Sequence, residues 1–435
     1  MARKMKDSGI EWIGEIPEKW EVSQLKYAIR WKSEKGCPDA PVLSLYRDFG
    51  VVPKDSRDDN HNVTSLDTSN YKVVDIGDLV INKMKAWQGS MAVSDYRGIV
   101  SPAYHVCSIT SNKVNKRYLH HLLRNPAYLP EYARLSTGMR IGQWDLGFDD
   151  FKNIPFLIPP FDEQAKIADY LDNGCASLDT ILDKTRSSIE EYKKLKQAVI
   201  TQAVTKGVRG KREMKDSGVE WIGEIPKVWI ISNIGRFCFV TKLAGFEYTK
   251  EMDGHISPYG DVPIVRAQNI KMGRFIPNTR EYISLALSQK LSRCALNEKC
   301  LIITFIGAGI GEVALFSDAT RHHLAPNVAK IVINHDMKQF LNDRFLLYFL
   351  MSSAGQEEVN KIKKATAQPS LSMQTIRSIK LAFPSTLQEQ KEIADFLDAK
   401  CAEIDKLIVK KEQLVKELES YKKSLIYEVV TGKRE

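Results

Sequence analysis

Met5 to Trp20 reads MKDSGIEWIGEIPEKW and Met214 to Trp229 reads MKDSGVEWIGEIPKVW, identical at 13 of 16 positions at an offset of 209. A second match follows each of these tags: Glu163 to Thr205 aligns without a gap on Glu389 to Thr431, offset 226, with 16 of 43 positions identical and EQ-x-x-IAD-x-LD in both copies. Matches of that length establish a tandem duplication, so a reading made on one half carries to the other. Each half is a tag, a body and the shared segment. The bodies, roughly 21 to 158 and 230 to 383, are dissimilar along most of their length.

The shared segment has a helical period. Ile167, Leu171, Leu178, Leu182, Ile189, Tyr192, Val199 and Ala203 step by threes, fours and sevens, answered by Ile393, Leu397, Ile404, Ile408, Val415, Leu418, Leu425 and Val429. At ~1.5 Å per residue such a helix would reach about 64 Å, and two of them are expected to pair antiparallel as a coiled coil that holds the bodies apart. Thr386-x-x-Glu389 predicts a capping box for the second helix, and Asp162 after Pro159-Pro160 is available as a cap for the first. Asn173-Gly174 is a weak point that could bend the first helix. The sequence GKRE at 210–213 runs into the second tag and recurs at 432–435, so the C-terminal end is expected near the first tag, as in a cyclic pseudo-twofold arrangement.

These readings predict an α+β chain: two mixed, β-rich bodies joined by two long antiparallel helices, a pseudo-twofold tandem repeat. The expected segments are 1–158 (tag and first body), 159–207 (first helix), 208–383 (tag and second body) and 384–435 (second helix and tail). Of 435 residues 43% are apolar and 27% charged, which excludes disorder, collagen and a disulfide mini-scaffold. No uncharged apolar run approaches the ~18 residues of a membrane span, and the first nine residues lack the apolar core of a signal peptide. Seven cysteines without a C-x-x-C pair or zinc spacing fit unpaired thiols in the cytoplasm and no structural metal. The net charge is +9; the two shared segments carry −3, so the bodies and tags carry +12, as expected of surfaces that touch phosphates.

In the first body, Tyr71 to Asn82 reads as strand, turn, strand, and Gly89 to Ser94 as the return, with Lys83-Met-Lys-Ala-Trp-Gln88 between them. In the second, Leu301 to Thr304 and Glu312 to Phe316 flank Phe305-Ile-Gly-Ala-Gly-Ile-Gly311, and an offset of 222 places the two loops in register. Lys83, Lys85, Trp87 and Gln88 combine phosphate-type cations, a flat ring and an amide able to read an adenine edge. A second loop precedes each helix and carries Arg140, Gln143 and Trp144 in the first body and Lys363, Lys364 and Gln368 in the second; Arg266, Gln268 and Asn269 form a further set. All are candidate DNA contacts, against the alternative of solvated hairpin tips. His120-His121 and His322-His323, as adjacent residues, do not converge on a metal.

Two other function classes compete. F-x-G-x-G at Phe305 to Gly309 resembles the glycine loop of adenosylmethionine-dependent methyltransferases, and Asn125-Pro-Ala-Tyr128 resembles their N-P-P-Y motif, which would make the chain a DNA amino-methyltransferase in its own right. A coiled-coil scaffold without DNA binding is the other.

The duplicated S-G-x-E-W-I-G-E-I-P tags, the E-Q-x-x-I-A-D-x-L-D helices and the terminal V-x-T-G-K together resemble the specificity subunit of Type I restriction-modification systems, over essentially the whole chain; the first copy departs from it with Thr205-Lys-Gly207. The resemblance implies a non-catalytic subunit with no cofactor of its own, and two target recognition domains that each read half of an interrupted double-stranded DNA sequence. It also implies partners, namely two modification subunits that methylate adenine and, in the full complex, restriction subunits. The helix residues Glu163, Gln164, Ile167, Leu171, Leu178, Glu389, Gln390, Ile393, Leu397 and Ile404 would then serve as spacer or partner surface.

Overall fold

The computed structural model describes residues 3–47, 49–57, 64, 65, 67–138, 144–364 and 370–434. Its contacts divide the chain into one unit of 1–186 with 412–435 and another of 187–411. That division differs from the consecutive segments expected of the sequence because it cuts both long helices, Phe161–Lys206 and Leu387–Val430. The physical reason lies in the seams. Leu171 and Leu178 share a core with Leu425 and Val429 in the first unit, and Ile200 and Val204 share one with Ile393 and Leu397 in the second. Each unit is therefore closed by the start of one helix and the end of the other, running antiparallel. Asp179 meets Lys422 at 2.6 Å and Arg186 meets Glu419 at 2.6 Å in the first unit; Lys196 meets Asp405 at 2.7 Å in the second. Such exposed pairs contribute about 0–1 kcal/mol each, so the apolar seam carries the association.

In the first unit, Met5–Asp7 pairs with Glu15–Pro17 across a tight loop. Gly9 and Gly14 there take φ of +70° and +72°, a region other residues enter only under strain, and Ile10, Ile13 and Ile16 turn inward. Strand Glu21–Gln24 pairs with Pro155–Ile158, tying the start of the body to its end. Between them a four-stranded antiparallel sheet runs in the order Ile29–Lys32, Tyr104–Ile109, Leu79–Asn82, Met91–Val93. Because strand side chains alternate faces, Leu79, Ile81, Met91 and Cys107 join the core of tag and helices, while Val80, Ala92 and Val106 pack on Leu43, Leu45, Val51 and Val74 from the segment inserted after the first strand.

The second unit repeats this frame. Its sheet runs Cys238–Lys242, Val328–Ile333, Cys300–Thr304, Val313–Phe316. Leu301, Ile303 and Ile331 face tag and helices; Cys300, Ile302, Ala314 and Phe316 face a larger insertion that builds its own four-stranded sheet from 262–265, 282–283, 295–296 and 322–324. The hairpins pair Leu79 with Val93 and Leu301 with Leu315, the offset of 222 expected from the sequence.

Helix ends differ from expectation in detail. The Thr386 hydroxyl accepts from the Glu389 amide at 3.4 Å, but the Glu389 carboxylate turns to the tag instead of completing a capping box. Asp162 lies inside the first helical turn, where Pro160 O accepts from the amides of Glu163 and Gln164 at 2.9 and 3.0 Å. The helix runs unbroken through Gly174, so the expected bend is absent there. Both exits use a left-handed glycine under a tag tryptophan, Gly207 by Trp229 and Gly432 by Trp20, one residue out of alignment, which accounts for T-K-G against T-G-K. Lys433 Nζ donates to Ile13 O at 2.8 Å, so the C-terminal end does lie on the first tag.

Candidate nucleic-acid interface

The EQ-x-x-IAD-x-LD signature proves to be the joint that positions each body. Glu163 accepts from the Trp20 indole at 3.1 Å and also pairs with Arg3; Glu389 accepts from Trp229 at 3.2 Å and pairs with Arg212 at 2.6 Å. Gln164 Oε1 accepts from the Asn115 amide and its Nε2 donates to Lys113 O and Pro159 O, all at 2.8 Å. Gln390 does the same with Asn342, Phe340 and Pro384 at 2.8, 2.8 and 3.0 Å. Asn115 and Asn342 cap the body helices Lys116–Leu123 and Asp343–Met351, so each glutamine docks a body on a long helix. The signature aspartates grip that same body helix: Arg117 meets Asp169 at 2.8 Å and its Nε meets Asp172 at 2.7 Å, while Arg344 pairs with Asp395 and Asp398. Glu389, Gln164 and Gln390 are buried, and the seam residues Ile167, Leu171, Leu178, Ile393, Leu397 and Ile404 are buried with them.

On the first body, Lys83–Gln88 forms a 3-10 turn ended by left-handed Gly89, with Lys85 and Gln88 exposed. Lys83 Nζ lies 2.9 Å from Asp145 Oδ2, and Trp87 meets Trp144 edge-on at 5.4 Å. The structure thus brings the first loop against the trailing edge of the second; Arg140 and Gln143 lie outside the described residues. Around this contact stand groups the sequence reading missed. His105 is buried, its Nε2 3.1 Å from Leu146 O and its ring beside Trp31 at 5.3 Å. Lys72 is also buried, donates to Tyr104 O at 2.6 Å and lies over Trp31. Burial first, then the nearby Lys83 and Lys35, lowers the Lys72 pKa; burial likewise holds His105 below the usual histidine range. A charged residue interrupting an apolar strand, as in Tyr71-Lys-Val-Val and Tyr104-His-Val-Cys, is the signal that could have found them.

The second body treats its candidates differently. Asn269 is 2% exposed and fully engaged: it accepts from the Arg266 amide at 2.9 Å and donates to Ile276 O and Asn278 O at 3.0 and 2.9 Å, so it shapes a turn. Arg266 pairs with Glu281, and Gln268 is exposed. Lys363 and Lys364 end the helix Ser353–Lys364, their side chains outside the described set, as is Gln368. Loop 305–311 buries Phe305 beneath Lys242 and exposes Ile306, which bridges to Ser370.

The methyltransferase resemblances dissolve in this geometry. The glycines of 305–311 join two antiparallel strands, whereas a cofactor loop of that kind links a strand to a helix whose N-terminus faces the ligand. Asn125 caps the turn 126–128 through the Ala127 amide at 2.8 Å, and Tyr128 is wholly buried. His120 and His121 sit on a helix, and His322 and His323 are buried on a strand.

The family model for the Type I restriction modification DNA specificity domain matches residues 17–191 and 226–417. Among curated relatives, a putative Type I restriction enzyme specificity subunit of Methanocaldococcus jannaschii, MjaX, is 24% identical over 97% of this chain and 95% of its own. The EcoKI specificity subunit of Escherichia coli K12 is 24% identical over 63% of this chain and 56% of its own. Among solved structures, a chain from a study of complex assembly in the Type I R-M system superposes with a TM-score of 0.73 at 14% identity, covering 96% of this chain and 99% of that one. The HsdS subunit of Thermoanaerobacter tengcongensis follows at 0.52 and 13%, covering 96% and 98%.

Proposed function

The chain belongs to the Type I restriction modification DNA specificity family, and from that premise we propose that its first body reads one half of an interrupted double-stranded DNA target and its second body reads the other. It is the non-catalytic subunit that gives sequence choice to modification subunits, which methylate the DNA, and to restriction subunits in the full complex. The observation that carries this reading is the frame itself. The same tag, joint and sheet are built twice with matching hydrogen bonds, and each presents a loop of different content at the same place, Lys83–Gln88 and Phe305–Gly311. Lys83, Lys85, Trp87, Gln88 and Trp144 would serve one half-site, with Arg266, Gln268, Lys363 and Lys364 serving the other. No helix among the described residues is long and apolar enough to cross a membrane, and cytoplasmic residence suits the seven unpaired thiols.

Co-expression with a modification subunit, followed by methylation mapping, should reveal a two-part motif with a fixed gap. Deleting Leu182 to Ser188 together with Ile408 to Leu414 keeps the heptad phase and should contract the gap by about 3 base pairs, since seven helical residues span ~10 Å. Methyl transfer by the chain alone would overturn the non-catalytic assignment, and an unchanged gap would remove the helices as its ruler.

A further inference from the structure

Each unit has buried polar atoms without a partner at the loop end of its main sheet, on the tag-and-helix face in the first unit and on the insertion face in the second. In the first unit Trp87 Nε1, His105 Nδ1 and Asp145 Oδ1 are buried with no hydrogen-bond partner. They gather where the 83–88 turn and the 145–146 strand meet the start of the 104–109 strand, as the Lys83–Asp145, His105–Leu146 and Trp87–Trp144 contacts show. In the second unit Thr304 Oγ1 and Asn327 Oδ1 are in the same condition. Thr304 ends the strand equivalent to 79–82 and pairs with Val328, and Asn327 O accepts from the Phe305 amide at 3.1 Å. Both therefore lie at the same end of the equivalent sheet, beside loop 305–311. Trp12, Asn125, Tyr128 and Arg212 leave other such atoms elsewhere, at the tags and the 125–128 turn.

Folded proteins satisfy nearly all buried polar groups, so unused ones gathered at one end of a sheet, beside a variable loop, call for a ligand. The chemistry in the first unit is specific. His105 Nε2 donates to Leu146 O, which leaves Nδ1 as a lone-pair acceptor, and Asp145 Oδ1 is a second acceptor. Two acceptors match an amino group, which in the major groove means N4 of cytosine or N6 of adenine. We propose that these two places are the base-reading centres of the subunit: His105 and Asp145 accept from an exocyclic amino group in one half-site, and Thr304 and Asn327 do so in the other. The proposal rests on the reading of the chain as a DNA specificity subunit and adds which residues choose the base.

Access needs no lifting of strand 145–146: Asp145 keeps 43% of its side chain exposed and Asn327 is half-buried, so a side-chain turn brings each unpaired oxygen to the surface.

The test uses the full chain with a modification subunit and methylation mapping of the resulting motif. Asp145→Asn, at a half-exposed side chain of unchanged shape, and His105→Phe, which keeps the ring against Trp31, should each relax one position of one half-site, with discrimination falling about 5- to 150-fold. Thr304→Val should relax one position of the other half-site only. Motifs unchanged in Asp145→Asn and Thr304→Val, or methylation falling equally at both half-sites with no base relaxed, would overturn the proposal. A wild-type chain that directs no two-part motif would instead overturn the functional reading beneath it.

Discussion

The two units answer each other at the joints of their frames and hardly at all in what the frames carry. Trp20–Glu163 matches Trp229–Glu389, and the three hydrogen bonds of Gln164 match those of Gln390. The sheet face turned to tag and helix is built alike in both, whereas the opposite face packs on a small insertion in the first unit and on a second sheet in the other. A strand's alternation makes this possible: one set of residues holds the frame while its neighbours follow the insertion, so recognition can change without disturbing assembly.

The comparison is broken most completely by removing one half. Asp179 corresponds to Asp405 and Lys196 to Lys422 at the offset of 226, so Asp179–Lys422 and Lys196–Asp405 are one ion pair seen twice. A fragment of residues 1–213 contains Asp179 and Lys196, and its seam residues, worth about 1.5–3 kcal/mol each on burial, cannot stay exposed. Two copies should pair antiparallel, residues 187–213 of one standing where 412–435 stand in the full chain, and the methylated target should become an interrupted palindrome. Arg186–Glu419 has no such counterpart, because Glu419 corresponds to Lys193; Lys193→Glu should tighten the dimer. A folded monomer in sedimentation would refute the equivalence of the halves.

Removing the joint comes next in size. Gln164→Ala and Gln390→Ala each strand one amide and two carbonyls, at about 1–3 kcal/mol for each group left unsatisfied. Each should lower unfolding stability by about 3 kcal/mol, measured in urea, and by similar amounts if the two joints are equivalent. A large loss in one and none in the other would show that only one body depends on it.

The tags offer a finer contrast. The Trp221 indole donates to Glu358 at 2.9 Å, and Glu358 also accepts from the Lys380 amide at 3.0 Å. In the first unit Glu131 is held by Arg134 at 2.6 Å, and the Trp12 indole has no partner. The aligned strands explain this: Lys380 pairs with Asn233 as Pro155 pairs with Gln24, and proline has no amide to offer. Trp221→Phe should cost about 1–2 kcal/mol more than Trp12→Phe. Equal losses would mean that Glu358 gives the indole nothing.

Duplication made the frame legible, since the seams, the tags, the matching hairpin loops and the closure of the C-terminal end on the first tag all follow from repeated residues. What stayed hidden depends on contacts between distant, unrepeated segments. Asn269 looked like a base reader but is consumed by two backbone carbonyls, of Ile276 and Asn278, in the turn that follows it. The glutamate of the expected capping box serves the tag 160 residues away. His105 and Asp145 come together only when strand 145–146 lies against the sheet, and no spacing along the chain announces that.

The smallest contrast is a single titrating residue. His120 in the first body helix stands where Leu347 stands in the second, aligned by Asn115 and Asn342 as caps. Its Nδ1 faces the Val93 amide at 3.3 Å and its Nε2 faces the Arg124 guanidinium at 3.0 Å, with His121 and Asp172 nearby. Burial, then the Arg124 and His121 charges, push its pKa down to about 3. A proton is therefore bound more readily by the unfolded chain, whose histidine titrates near 6.5. Stability from this site is complete above pH ~6.5 and declines as pH falls toward 3, by about 1 kcal/mol at pH 5 once partial solvent access to the ring is allowed for. His120→Leu should remove that slope from the first unit while leaving the second unchanged. Urea unfolding at pH 7.5 and pH 5 measures it, and an equal acid loss in wild type and variant would assign the sensitivity to other groups.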